Sequence, residues 1–274
     1  PYSPEIGRAI GSRVARGMDI FWGICTSGPE VAIGTSFAMD ADENFIVHVP
    51  RQDVQTGTSE DEISEIKQTC WAQVQTLLNG EYCTEEKELE FGFFIQRHPP
   101  VPHAIVVGGS HIGETLVKLL KDLKWRVTVI DPRDTFAPVE RFAQADELIH
   151  SWPREAFAQL GFLKMNNGHD GIGGISEAKS DRGSHTAVAA ITHSEQIDDE
   201  AVKVALDNGC YYVGVLGSRK TFADRIERLK VGGYSKAHLS RIHGPIGLDI
   251  GAQSPEEISL AIAAQMVQDY RKGE

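Results

Sequence analysis

The strongest constraint on how this chain folds is the run Ala104-Ile105-Val106-Val107-Gly108-Gly109-Ser110-His111-Ile112-Gly113. A short apolar run enters a glycine turn and then a stretch of helical periodicity, which is how a βαβ unit begins. The residues beyond this turn repeat the alternation. Residues 104–108, 126–130, 147–150, 187–192 and 211–216 read as strands, and residues 113–123, 198–206, 218–229 and 255–270 as helices. Such alternation predicts an α/β, Rossmann-like, doubly wound parallel sheet covered by helices on both faces.

The turn itself resembles the G-x-G-x-x-G fingerprint, with Gly108, Ser110 and Gly113 at its three positions and serine in place of the middle glycine. In that fingerprint the first glycine permits the tight turn, the second lets backbone approach a pyrophosphate, and the third lets helix and strand pack closely. Asp131 follows Gly108 by 23 residues and ends the next strand. A carboxylate at that place accepts hydrogen bonds from a ribose. Two readings stand at this point: an NAD(P) site, or a turn that only packs the unit. The nucleophile-elbow pattern G-x-S-x-G is broken at Ile112. His111 opens a helix, either as a neutral histidine near a ligand or as a plain turn residue.

Two later segments should meet this turn, because ligands of open α/β sheets bind outside the carboxyl ends of the strands. Thr192-His193 follows one strand, and Gly217-Ser218-Arg219-Lys220 follows another and opens a helix. A glycine turn, orphan backbone N–H groups, a hydroxyl and two cations at a helix N-terminus suit an anion. The alternative is an exposed basic first turn, against the preference of the helix dipole. In Ile242-His243-Gly244-Pro245-Ile246-Gly247-Leu248-Asp249-Ile250-Gly251, three glycines and a proline specify an unusual backbone path, and Asp249 either binds a ligand or braces the loop. Ser254, Pro255 and Glu257 form a capping box for the last helix.

Ahead of residue 99 the patterning is different. Residues 19–25, 36–39 and 45–49 are short β-prone runs that suggest a small sheet. Asp40, Asp42 and Asn44 mimic the start of a calcium loop, but Phe45 stands where that loop needs glycine, so a hairpin turn is expected. Ser59 opens a helix whose buried stripe is Ile63, Ile66, Cys70, Val74 and Leu77. A further strand is expected over residues 89–95, and the prolines of Gln96-Arg97-His98-Pro99-Pro100-Val101-Pro102 forbid helix and resist sheet pairing. The domains are therefore drawn as residues 1–98, a smaller α+β unit, and residues 99–274. Residues 161–186, centred on the glycine- and asparagine-rich run 166–174, are expected to form a mobile loop.

Composition narrows the function classes. The 274 residues are 41% hydrophobic and 24% charged, which is globular usage. The formal net charge of −12 disfavours general attraction to nucleic acid or to anionic membranes, though not a local pocket for one phosphate. No apolar run approaches the ~20 residues that cross a bilayer, and no signal pattern is visible, so a cytoplasmic location is expected. Cys25, Cys70, Cys83 and Cys210 form no C-x-x-C pair and no zinc spacing.

Taken together, Gly108-Gly109-Ser110-His111-Ile112-Gly113, Asp131-Pro132-Arg133, Thr192-His193, Leu216-Gly217-Ser218-Arg219-Lys220 and His243-Gly244-Pro245-Ile246-Gly247-Leu248-Asp249-Ile250-Gly251 resemble the C-terminal domain of the XdhC/CoxI family. Its members are accessory factors for xanthine dehydrogenase and related molybdenum hydroxylases. The resemblance implies a non-catalytic chaperone that binds the molybdenum cofactor, a molybdopterin, while a cysteine desulfurase supplies its terminal sulfur, and then delivers it to a xanthine dehydrogenase-type hydroxylase. It also implies a homodimer. Carried over residue by residue, the pocket comprises Gly108, Ser110, His111, Gly113, Asp131, Arg133, His193, Gly217, Ser218, Arg219, Lys220 and Asp249. The N-terminal half departs from the family pattern: its loop survives faintly from Ser27 to Gly34, and the family's G-G-C is absent. Cys25 is either a contributing thiol or a small core residue. Two other functions are weighed beside this one: an NAD(P)-dependent oxidoreductase with His193 as acid/base, and an assembly protein that holds no cofactor.

Overall fold

In the computed structural model the chain divides into two compact units, residues 1–100 and 101–274. The residues described are 4–15, 20–27, 34, 36–40, 45–48, 59, separate positions between 61 and 72, 92–162 and 181–272.

The first unit is built on an antiparallel sheet of β1 (Ile20–Ser27), β2 (Ser36–Asp40), β3 (Phe45–His48) and β4 (Gly92–His98), in the order β3-β2-β1-β4. Helix α1 (Pro4–Ala15), which strand-and-turn reasoning does not anticipate, buries Ile6 and Ala9 and packs Ile10 and Val14 against Ile20 and Ala38. Their spacing of three and four is the missed signal. Arg13 secures the helix by an ion pair of 2.6 Å with the fully buried carboxylate of Asp40.

Strand β4 runs on to His98, opposite Ile20, although the prolines predict resistance to pairing there. The reason is local: Pro99 cannot donate a ladder hydrogen bond, but it pushes the residue before it towards extended backbone and so ends the strand without shortening it. β2 and β3 pair with Met39 opposite Phe45. The calcium-loop mimic at Asp42 and Asn44, the buried stripe from Ile63 to Leu77, and Cys70 and Cys83 lie outside the described residues. Asp61, Ser64, Glu65, Gln68, Thr69, Trp71 and Ala72 are helical.

The second unit is the expected α/β fold. Its parallel strands are β5 (His103–Val107), β6 (Arg126–Ile130), β7 (Glu147–Ile149), β8 (Thr186–Ala190), β9 (Tyr212–Val215) and β10 (Ile242–His243). Among the described residues they are accompanied by α2 (His111–Asp122), α3 (Pro153–Gln159), α4 (Glu195–Asp207), α5 (Arg219–Val231), α6 (Lys236–Leu239) and α7 (Pro255–Lys272). Short elements with little periodicity, namely α3, α6 and β10, carry no signal in the sequence reading. Of the expected loop, residues 163–180 lie outside the described residues, and Asp181–His185 is a 3₁₀ turn leading into β8.

Alternation along each strand divides the core into two layers, as a sheet buried on both faces requires. Ala104, Val106, Val127, Val129, Ala187 and Ala189 face a layer completed by Leu116, Val117 and Leu120 of α2 and Ile262, Met266 and Tyr270 of α7. Ile105, Val107, Ile130, Val188, Ala190 and Val213 face the other, with Phe157 of α3, Ala201 and Val202 of α4 and Leu229 of α5.

Contact between α2 and β5 depends on Gly113, where a Cβ would lie 2.4 Å from the carbonyl oxygen of Gly108. Helix propensity alone favours alanine over glycine by about 1 kcal/mol. Gly113→Ala is nevertheless expected to destabilise by about 2 kcal/mol, lowering Tm by roughly 5 °C in a melt followed by circular dichroism. A Tm at or above that of the unaltered protein would refute the close approach.

Candidate functional site

The strand order β10-β9-β8-β5-β6-β7 reverses direction between β5 and β8. It is the order of dinucleotide-binding folds, and the crevice of such sheets opens at this reversal, beyond the carboxyl ends of the two strands. The site residues expected from the sequence in the second unit follow the carboxyl ends of β5, β6, β8, β9 and β10, in the loops leaving those strands or in the first turn of the next helix.

The β5 turn forms one wall. Gly108 has φ +128°, and a Cβ there would come within 2.9 Å of the Ile191–Thr192 backbone. Ser110 has φ −79°, which needs no glycine, and its hydroxyl accepts the N–H of Gly113 at 3.2 Å as the N-cap of α2. The close approach expected of the middle glycine has moved one residue back. A Cβ on Gly109 would lie 2.3 Å from the carbonyl oxygen of Phe136. His111 is the first helical residue and is exposed.

Asp131 is placed differently from a ribose acceptor in waiting. Its carboxylate is fully buried and accepts four hydrogen bonds. Gly109 N–H and Arg133 Nη2 donate to one oxygen, both at 2.8 Å, and Arg133 N–H and Nε to the other at 3.0 and 2.9 Å. That fills the acceptor sites of a carboxylate. Burial works to raise its pKa, but the guanidinium and the two N–H groups outweigh this and hold it below the usual carboxylate value.

The opposite wall follows β8. Thr192 is buried; its N–H and hydroxyl donate to Asp198 Oδ1 at 3.1 and 2.7 Å, and its hydroxyl accepts the Ser194 N–H at 3.0 Å. Asp198 is itself buried, and desolvation, ahead of the Thr192 bonds that oppose it, pushes its pKa up. This frame holds exposed His193 at φ +63°, a left-handed conformation that costs a non-glycine residue about 1 kcal/mol or more. Arg133 reaches across the crevice, its Nη1 3.5 Å from the Thr192 carbonyl oxygen.

Further along the same edge, Gly217 has φ +147° and Ser218 caps α5 by accepting the Thr221 N–H at 3.1 Å. Arg219 and Lys220 occupy its first turn, both exposed. Arg219 is 89% exposed and lies 3.7 Å from Asp249, which is 90% exposed. An exposed pair at that distance contributes little to stability.

The loop bringing Asp249 there is shaped by its glycines. A Cβ on Gly244 would fall on the Phe222 ring, and Gly247, at φ +95°, donates its N–H to Gln265 of α7 at 2.8 Å. His243 is structural, paired with Asp269 at 2.6 Å and stacked on Tyr212. Two groups therefore assemble at the sheet edge: Gly108, Gly109, Asp131, Arg133 and Thr192 around the reversal, and Arg219 with Asp249 beyond β9 and β10. Sequence reasoning misses Gly109, Phe136, Arg141 and Asp198 as site residues. The double glycine signals the first, whereas nothing local marks a loop residue that folds back onto another turn. In the first unit Cys25 is buried, its Sγ 3.3 Å from the Ser27 carbonyl oxygen; the loop from Gly28 lies outside the described residues except Gly34.

Removing the charge of Asp131 isolates its structural share. Asp131→Asn leaves Arg133 unpaired, and because that side chain is 30% exposed the cost is expected to be about 2–3 kcal/mol in urea unfolding, below that of a fully buried pair. The depressed folded-state pKa contributes stability that is fully present above the unfolded value near pH 4 and is lost as pH falls through the folded value. The gap between unaltered protein and Asp131→Asn should therefore narrow below about pH 4. A gap constant with pH would contradict the bonding described.

Comparison with known proteins places this geometry in a family. The model of the XdhC Rossmann domain matches residues 104–266. A Bacillus subtilis protein named as a probable xanthine dehydrogenase component is 28% identical over 179 residues, spanning 65% of this chain and 46% of that protein. The uncharacterized protein YqeB of Escherichia coli is 24% identical over 176 residues, spanning 64% of this chain and 28% of that one. The chain thus spans less than half the length of either curated relative. A crystal structure described as a xanthine dehydrogenase from Bacillus halodurans superposes with a TM-score of 0.61 at 20% identity, covering 98% of this chain and 66% of that one, which is a likeness of fold. With the matched region running from the second residue of β5 into α7, the chain belongs to the XdhC Rossmann-domain family.

Proposed function

We propose that this protein is an accessory factor that holds the molybdenum cofactor for a xanthine dehydrogenase-type molybdenum hydroxylase. The observation that carries the reading is the pair of exposed cations, Arg219 and Lys220, in the first turn of α5 at the carboxyl edge of a sheet with dinucleotide-fold order. The name of the B. subtilis relative supports the choice of partner.

The residues present fit a phosphate-bearing pterin. Gly217 at φ +147° leads into the cap of α5, where Ser218 takes the Thr221 N–H and the N–H groups of Arg219 and Lys220 have no acceptor within the helix. Arg219 offers a planar fork and Lys220 a point charge, in a chain whose overall charge would otherwise repel an anion. Arg219 pairs with an exposed Asp249, so the guanidinium turns to an incoming phosphate at little cost. When bound, the molybdenum cofactor supplies a pterin phosphate to be held and a metal centre as the cargo to be passed on. The chain's own part is to bind the anion by charge-assisted hydrogen bonds, to orient it at the sheet edge and to present it to its recipient. Sulfuration by a cysteine desulfurase while the cofactor is held belongs to the same reading.

Anaerobic purification from a host that makes the cofactor, followed by mass spectrometry, tests this directly. Molybdopterin near one per chain is the expected result. Arg219→Ala with Lys220→Ala should weaken its retention by roughly 100-fold, the loss of two charge-assisted bonds. Unchanged retention in that variant would refute the assignment of the anion site, and recovery of no pterin under any condition would refute the cofactor reading.

A further inference from the structure

The glycine turn of this fold carries a cover made by the chain itself. After β6 the backbone folds back so that the Phe136 carbonyl oxygen packs against Gly109. Arg141 fastens it there: its Nη1 donates to the carbonyl oxygens of Gly109 and Phe136, both at 3.3 Å, and its Nε to Glu114 of α2 at 2.9 Å. Arg133 fastens the near end, with its guanidinium over the Phe136 ring at 4.1 Å and its carbonyl accepting the Phe136 N–H at 2.9 Å. Gly109 is thereby engaged on every side, its N–H by Asp131, its carbonyl by Arg141 and its Cα by Phe136.

In a dinucleotide-binding sheet the pyrophosphate lies on the glycine turn and the acidic residue ending the second strand holds the adenosine ribose. Here that acidic residue is Asp131, at 0% exposure and with Arg133 on both of its oxygens. An adenosine ribose and the Arg133 guanidinium need the same acceptors, and a ligand backbone and Phe136 need the same approach to Gly109.

We propose that residues 133–141 form a specificity strap that takes the place of the adenosine half of a dinucleotide, so that the crevice rejects adenylate nucleotides and is open to ligand on its β8–β10 side alone. Arg133 is the determinant, because it fills the ribose acceptor and bridges to Thr192 across the reversal of strand order. Arg141 is a positioning residue that holds the strap down. The inference does not depend on the identity of the ligand proposed above.

Isothermal titration of the unaltered protein with ADP-ribose and with NADH should show no binding at about 1 mM. Arg133→Ala combined with Arg141→Ala frees Asp131 and the turn, and should raise affinity for ADP-ribose by at least ~10-fold, into the measurable range. Adding Asp131→Asn to that variant should abolish the gain, which a merely loosened structure would not do. Sub-millimolar binding of either ligand by the unaltered protein would overturn the proposal, as would a folded double variant that gains nothing. Hydrogen exchange at the Gly109 amide of the unaltered protein gives a reading that needs no variant. Slow exchange, unchanged by ADP-ribose, is expected, and exchange as fast as in an unstructured peptide would overturn the strap. Molybdopterin retention by the unaltered protein and by Arg219→Ala with Lys220→Ala tests the cofactor reading separately.

Discussion

The carboxylate of Asp131 holds together the part of this fold on which function depends. A charge buried without water is tolerated only when its acceptor sites are filled, and here one guanidinium and two backbone N–H groups fill all four. Through those bonds the end of β6 is tied to the turn after β5, and through Arg133 to the end of β8. Three strands that meet at the reversal of strand order are thus fixed relative to one another by one side chain and its partner. Around this tie, the turn can be as tight as Gly108 and Gly113 make it, because each neighbouring backbone is already positioned against it.

The same economy separates the two halves of the sheet edge. On the β5–β6 side the polar groups pair with one another, Asp131 with Arg133, Glu114 with Arg141, and Gly109 with both networks, with the buried Nη2 of Arg141 left without a partner among the described residues. On the β9–β10 side pairing is loose, for Arg219 and Asp249 form one exposed pair at 3.7 Å and Lys220 stands in solvent in the first turn of α5. His193 lies between, held in a left-handed conformation by the Thr192–Asp198 pair. Internally satisfied groups stabilise, whereas exposed cations at a helix N-terminus oppose the dipole and gain most when an anion arrives.

Much of the scaffold is legible in the sequence. The continuous apolar runs 104–107 and 187–190, buried on both faces of the sheet, the Ser254–Glu257 capping box and the glycines of the 243–251 loop each state a local preference that the fold obeys. Elements without periodicity, such as α3, α6 and β10, are not visible there, because their short runs are stabilised by neighbours rather than by propensity. The N-terminal helix escapes for a different reason: its stripe of Ile6, Ala9, Ile10 and Val14 is present, but it is interrupted by glycines at 7 and 11.

What the sequence by itself determined is the layered parallel sheet, its glycine turn and the basic first turn of α5, since each follows from spacing and from the conformations that glycine, serine and proline allow within a few residues. What only the tertiary structure decided is the employment of the polar groups. Asp131 reads from spacing as a ribose acceptor, and Arg133 two residues later is a pocket residue only by the family resemblance. That Asp131 also takes the Gly109 N–H, and that Phe136 and Arg141 close over Gly109, depends on contacts between the turns after β5 and β6 over separations of up to 32 residues. Local propensity carries no record of such contacts, because their energy is gained only once the sheet has brought the strand ends together.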